Sequence, residues 1–205
     1  MTVVRNGTPF GHRPPLPRST GSWTFRTARP VAPDLDLVHR WMNDPDVARF
    51  WDQAWSRADW REELSAQLEH GPAHPCIVER GGRPFAYLEL YWSSRHAIAR
   101  HYPAREGDVG VHIALGDPGS RGGGRGTELL RDTAHGMYEV TPGCTRVLAE
   151  PAADNGAARA AFGRAGFHEL GEIELAHKRA ALVVHTAGTD DVPALRREVT
   201  AHASR

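Results

Sequence analysis

Only two cysteines, Cys76 and Cys144, occur in the 205 residues. Both lie in apolar, strand-like surroundings, so two buried free thiols in a reducing compartment is the plainer reading, and spacing alone leaves a disulfide open. A surplus of either charge is missing as well, since 25 basic residues meet 25 acidic ones. That balance speaks against a generic binder of nucleic acid or of anionic membranes, although a local patch is still allowed. No apolar run approaches the ~18 residues of a membrane span. The start of the chain has arginines and prolines but no apolar segment of a secretory signal. The expectation is a soluble, cytoplasmic protein that engages neither nucleic acid nor membrane. Internal repeats and low-complexity blocks are absent, and the length suits one domain with a sizeable core.

What is present centres on residues 107–127, G-D-V-G-V-H-I-A-L-G-D-P-G-S-R-G-G-G-R-G-T. Val109, Val111, Ile113 and Leu115 alternate with Gly110, His112 and Ala114, the period of two that a strand requires. One face is aliphatic; the other carries His112 between two residues too small to cover it. Gly116-Asp117-Pro118-Gly119 ends the strand. Glycines 122, 123, 124 and 126 then lead into a helix whose positions 129, 130, 133, 134 and 137 form one apolar stripe. Such glycines let backbone approach a ligand closely. The unpaired first-turn N–H groups, at the positive end of the helix dipole, suit phosphate. A P-loop lysine is missing, and so is the third glycine of the dinucleotide fingerprint, because the run from Gly124 reads G-R-G-T-E-L. On the loop alone, an ordinary surface turn stays open.

Along the chain, residues 1–20 carry Gly11, Pro14, Pro15 and Pro17 and read as a flexible N-terminal arm. A domain follows over 21–186, then a C-terminal tail over 187–205 with a possible short helix near 194–199. Trp23 to Thr27 reads as a first strand, Asp34 as the cap of a helix reaching Met42, and Ser56 as the cap of a helix over 57–69. Gly81-Gly82-Arg83-Pro84 marks a hairpin, and the aperiodic loop 93–106 reads as a lid. A buried-type strand over 145–150, a helix over 156–164 capped by Asp154-Asn155, and strands over 167–174 and 178–185 complete the pattern. Alternating strands and helices with two hairpins indicate an α/β fold, a mixed central sheet with helices on both faces. The aromatic run 50–55 serves either as a core anchor or as a pocket wall; Trp51, Trp55 and Trp92 are the candidate substrate contacts.

Arg121-Gly122-Gly123-Gly124-Arg125-Gly126, an R-x-x-G-x-G, resembles the pyrophosphate loop of the GNAT acetyltransferase superfamily. Residues 150–155, E-P-A-A-D-N, running on to Ala165-Gly166-Phe167, resemble its second CoA-contacting helix. His39-Arg40-Trp41-Met42-Asn43-Asp44-Pro45 with Val47, Ala48, Phe50 and Trp51 is similar to the opening of the siderophore N-acyltransferases. His177-Lys178-Arg179-Ala180-Ala181-Leu182 is similar to a later part of the same group, which acylates hydroxylysine in aerobactin synthesis and lysine in mycobactin synthesis. The likeness spans about residues 22–186 and implies a GNAT fold. It also implies acyl-CoA as co-substrate (acetyl-CoA first), no metal, and a small-molecule amine or hydroxylamine acceptor of the lysine, ornithine or diamine type. The product would be a hydroxamate, a bidentate ligand for ferric iron.

The resemblance places Arg121, Gly122, Gly124, Arg125, Gly126 and Thr127 on the pyrophosphate and Asn155 and Phe162 on the pantetheine arm. The backbone at Ala114, Leu115 and Gly116 would pair with the pantetheine amides as an added strand. His112, titrating ordinarily near ~6.5, is the candidate base. Glu150 is its candidate partner; Asp154 is either a second one or only a cap. A monomer or weak homodimer is expected. Two other readings compete. One is an aminoglycoside-type acetyltransferase, which wants more acid than Asp44, Asp46 and Asp52 provide. The other is a non-catalytic acyl-CoA-binding module, which His112 and the aromatic run speak against.

Overall fold

The computed structural model describes residues 10–116, 118–188 and 192–203. Eight strands, β1 (Ser19–Thr20), β2 (Trp23–Thr27), β3 (Ala73–Arg80), β4 (Arg83–Trp92), β5 (Val109–Leu115), β6 (Arg146–Ala149), β7 (His168–Leu175) and β8 (Lys178–Thr186), form one sheet. Their order is β1-β2-β3-β4-β5-β6-β8-β7. The helices are α1 (Asp34–Met42), α2 (Pro45–Trp51), α3 (Arg57–Glu69), α4 (Arg125–Val140), α5 (Gly156–Arg164) and α6 (Val192–Ala203). All neighbouring strands are antiparallel except β5 and β6, which are parallel and joined through α4. The expected mixed sheet is therefore present.

Strand alternation sorts the side chains into two layers. On one face Val78, Leu88, Leu90, Trp92, Val111 and Val147 pack against Leu129, Leu130, Ala134 and Met137 of α4 and Phe162 of α5. The opposite face has two separate covers. Ile77, Tyr87 and Ala114 lie under Leu35, Val38 and Trp41 of α1 and Trp60 and Leu64 of α3. Leu148, Leu182 and Val184 lie under Leu195 and Val199 of α6. Glu89, Tyr91 and His112 belong to this second face by alternation, between the two covers.

Local chemistry explains most element ends. Ser56 and Asp59 close a reciprocal capping box on α3, and Asp44 accepts from the Asp46 amide to start α2 at Pro45. Asp34, expected as a cap, is instead the first residue of α1; its carboxylate accepts from the Arg29 amide and the Arg26 guanidinium.

Three segments are tighter than their sequence suggests. In the expected arm, Phe10 lies edge-on to Trp92, Arg13 donates to the Gln67 and Leu68 carbonyls, and Thr20 donates to the Asp132 carbonyl. In the expected lid, Ile98 and Tyr102 are buried and Arg95 holds the carbonyl of Gly11, so the loop is a packed wall. In the expected tail, α6 adds Leu195 and Val199 to the core. Residues 1–9, 117, 189–191 and 204–205 lie outside the described residues. Among the described residues no helix is long and apolar enough to cross a membrane.

Candidate active site

β5 and β6 pair only at Val109 with Val147 and at Gly110 with Leu148. Beyond that point β6 ends at Ala149 while β5 continues to Leu115, so the two strands part. The space between them is a cleft of about 1620 Å³, lined by β5 from Val111 to Leu115, by residues 149–155 and by the glycine loop. One edge of β5 is thereby left with backbone N–H and C=O groups facing a ligand-sized space. Such an edge takes an extended amide-bearing chain as an added strand.

The glycine loop stands at one end. Gly122, Gly123 and Gly124 have φ of 78°, 56° and 78°, and a Cβ at any of them would meet nothing within 4 Å. Backbone conformation, not space, demands glycine there. Gly126 differs, because a Cβ would stand 2.9 Å from Leu115 Cδ1. The first-turn amides of α4 precede the first intrahelical bond, Glu128 N–H to the Gly124 carbonyl, and are available to an anion. A pyrophosphate, and hence acyl-CoA, fits this end. A Gly124→Ala variant is expected to raise KM for acyl-CoA about tenfold with kcat nearly unchanged, as about 1–2 kcal/mol of left-handed strain distorts the loop. Steady-state kinetics check this, and an unchanged KM would count against the loop.

At the cleft wall His112 is held between two carboxylates. Its Nδ1 is 3.0 Å from Glu89 Oε2 and its Nε2 is 2.5 Å from Glu150 Oε1. Glu89 faces His112 across the β4–β5 ladder, and Glu150 follows β6. The Glu89 Oε1 accepts from Gln67 Nε2 and from the Tyr87 hydroxyl; the Glu150 Oε2 accepts from the Tyr91 hydroxyl at 2.7 Å. Tyr91 can lie across β5 because its cross-strand partner is Gly110, where a Cβ would be 2.1 Å from the ring. Lys178, the only lysine in the chain, brings its Nζ to 3.8 Å from Glu150.

The electrostatics follow from this geometry. Burial works against an imidazolium at His112, yet Glu150 and Glu89 outweigh it and push its pKa up to about 10. Burial works against both carboxylates too, and His112 overcomes it, holding Glu89 below and Glu150 well below the usual range. The two carboxylates thus favour the charged ring at His112, where an ordinary histidine base would be neutral. His96, partly buried on the same cleft and 5.8 Å from the His112 ring, is pushed down by burial and stays neutral.

Of the residues expected on CoA, Ala114, Leu115, Gly122, Gly124, Gly126, Thr127, Asn155 and Phe162 line the cleft. Asn155 also caps α5 by accepting from the Ala158 amide. Arg121 lines it as well, but its guanidinium is engaged by Asp44 at 2.9 Å and Asp46 at 2.8 Å, tying the loop to α2. Arg125 is exposed as the first residue of α4 and is not part of the lining. Gly116 turns away, donating to the Phe85 carbonyl and pressed so close to Trp41 that a Cβ would be 2.5 Å from the indole.

Glu150, not Asp154, is the carboxylate on His112; Asp154 is exposed at the rim, 3.9 Å from Arg49. Trp51 lines the cleft with its ring 5.9 Å from His112. Trp55 and Trp92 do not. Trp55 lies on Trp60 at the exterior, and Trp92 is buried on the opposite sheet face, donating to the Gly11 carbonyl. Glu89, Tyr91, His96 and Gln67 were missed. One signal was available for Glu89: a carboxylate inside the apolar strand 85–92, two residues from a tyrosine on either side.

Comparisons with known proteins bear on the family and the fold. The model of the acetyltransferase (GNAT) domain family matches residues 31–175. The lysine N-acyltransferase MbtK of Mycolicibacterium paratuberculosis is 36% identical over 179 residues, covering 87% of this chain and 80% of that protein. The N(6)-hydroxylysine O-acetyltransferase of Escherichia coli is 32% identical over 185 residues, covering 85% of this chain and 58% of that protein. Among solved structures, an aminoglycoside acetyltransferase AAC(6')-Ib in complex with coenzyme A superposes with a TM-score of 0.72. It is 23% identical and covers 81% of this chain and 95% of that one, which speaks to the fold.

Proposed function

We infer, for a chain that belongs to the GNAT acetyltransferase family and is an acyltransferase by that membership, a reaction on the side-chain nitrogen of a lysine- or ornithine-type acceptor. The acyl donor is acyl-CoA, acetyl-CoA first, and the acceptor nitrogen is already hydroxylated, so that the product is a hydroxamate of the siderophore type. Relatives named for lysine, hydroxylysine and hydroxyornithine support the acceptor class. The protein is proposed to work in the cytoplasm as a monomer or weak homodimer.

The observation that carries this reading is His112 bound by a carboxylate at each ring nitrogen, on the wall of a cleft that fits acyl-CoA. With both nitrogens engaged the ring offers no lone pair to an incoming ammonium, so the acceptor must arrive neutral. A lysine ammonium, with a pKa near ~10.4, is almost wholly charged at pH 7. A hydroxylamine is far less basic and is neutral there. In the transfer the acceptor nitrogen bonds to the thioester carbonyl carbon, and the C–S bond breaks with its electron pair on sulfur. The nitrogen loses one proton and the thiolate gains one. The His112–Glu150 pair takes the first at Glu150, gives the second from His112, and ends with its proton count unchanged.

The test is thiol release from acetyl-CoA and succinyl-CoA with N6-hydroxylysine, N5-hydroxyornithine, N-hydroxycadaverine and lysine. Turnover is expected with hydroxylamines, and kcat/KM for lysine at least about tenfold lower, in line with the small neutral fraction of its amine. Equal or better turnover of lysine would refute prior hydroxylation. Binding of CoA with no acceptor consumed would favour a non-catalytic module.

A further inference from the structure

We propose that Glu89 is a positioning residue that keeps His112 protonated on both ring nitrogens, so that the histidine enters acyl transfer as an N–H donor aimed at Glu150. A neutral imidazole has a single N–H and can satisfy only one carboxylate. Here carboxylates stand at 3.0 Å from Nδ1 and 2.5 Å from Nε2, and two ionised acceptors require two N–H donors.

Three residues build this contact. β4 places Glu89 directly opposite His112, and its side chain is 10% exposed. Tyr87, two residues earlier on the same strand, donates to its Oε1. Gln67 of α3 donates to that same oxygen and is braced by Glu63. With Oε1 occupied by these donors, Oε2 is left for the histidine. Among the described residues no lysine or arginine forms an ion pair with Glu89, so His112 is its counter-charge; Glu150 by contrast also has Lys178. A buried carboxylate without a cation is costly, which drives the proton onto His112.

The charged and titratable groups around the ring are Glu89, Tyr87 and Tyr91 from β4, Glu150 after β6, His96 from the 93–106 wall and Lys178 from β8. Tyr87 and Tyr91 are pushed well up by burial and remain neutral donors, and His96 is neutral for the same reason. Glu89 and Glu150 are the anions that hold the second proton.

The proposal rests on the acyl-transfer reading only for its kinetic arm. In nitrogen-15 spectra of the histidine side chains of the unliganded protein at neutral pH, both His112 nitrogens are expected to be protonated, with a titration midpoint well above neutral. A neutral His112 with one N–H in the wild-type protein would overturn the proposal, with no variant and no acceptor needed. In Glu89→Gln the midpoint is expected to fall by about one to two units, a tenfold to hundredfold loss of proton affinity. The alkaline limb of the kcat profile should move with it while KM for acyl-CoA stays within about twofold, and Glu89→Asp should restore part of the midpoint. A Glu89→Gln protein that melts earlier but keeps the wild-type His112 midpoint would reduce Glu89 to a structural residue. If no acceptor turns over, the titration still decides.

Discussion

A His112→Ala variant is expected to lose about 10²-fold in kcat with hydroxylamine and lysine acceptors alike, the lower end of the range of proton-transfer catalysis. Neither acceptor can hand a proton to a ring already protonated on both nitrogens, so the loss is the same for both. The same substitution strands Glu89 and Glu150 in the interior, with side chains 10% and 2% exposed. Removing one partner of a buried ionic group costs about 3–5 kcal/mol, and the lower figure applies because the His112 side chain is 27% exposed. For a chain of this size about 3 kcal/mol lowers Tm by roughly 6–12 °C.

The pH dependence has a definite sign. The pKa of His112 is raised from 6.5 to about 10, so its stabilisation is complete below 6.5 and disappears as pH climbs through about 10. The carboxylates are lowered from 4.5, so their part is present above 4.5 and lost as the medium becomes more acidic. The Tm gap between wild type and His112→Ala should be widest between these limits and close near pH 10. A gap that is flat from neutral to alkaline pH would show that the histidine is not held as a cation.

Arg146→Met is expected to be the most destabilising single change outside the cleft wall, by about 3–5 kcal/mol. The Arg146 and Asp108 side chains are 0% and 1% exposed, and their two contacts measure 2.6 and 2.8 Å. The pair sits where β5 and β6 still run together, just before Val109 and Val147, and so fixes the point from which the strands part. Losing it leaves the Asp108 carboxylate with only the Tyr102 hydroxyl and the Arg105 amide. Thermal unfolding should show a Tm drop of roughly 6–20 °C, and CoA affinity measured below that Tm should fall as well. The double change Arg146→Met with Asp108→Asn, which removes the stranded charge but keeps an acceptor for Tyr102, should recover most of the stability. A loss below about 1 kcal/mol in the single variant would mean that water or backbone movement solvates Asp108.

Much of this molecule is written in local chemistry. The alternation of Val109, Val111, Ile113 and Leu115 defines β5, and the capping box of Ser56 and Asp59 starts α3. The left-handed loop at Gly122, Gly123 and Gly124 before the apolar stripe of α4 marks the anion end. These signals act between residues a few positions apart, so the order of elements, the glycine loop and His112 are legible in them, whereas Glu150 stands beside Asp154 as one of two candidate carboxylates. The remaining choices are made across the sheet. Glu89 meets His112 because β4 and β5 pair in one register, 23 positions apart in the chain. Arg121 is diverted to Asp44 and Asp46 because α2 folds over the loop. Trp51 faces the cleft while Trp92 faces α4, a choice set by which face each cover buries. The proton affinity of His112 belongs to the same class: Glu150 raises it most, and Glu89, brought opposite by register, adds to it.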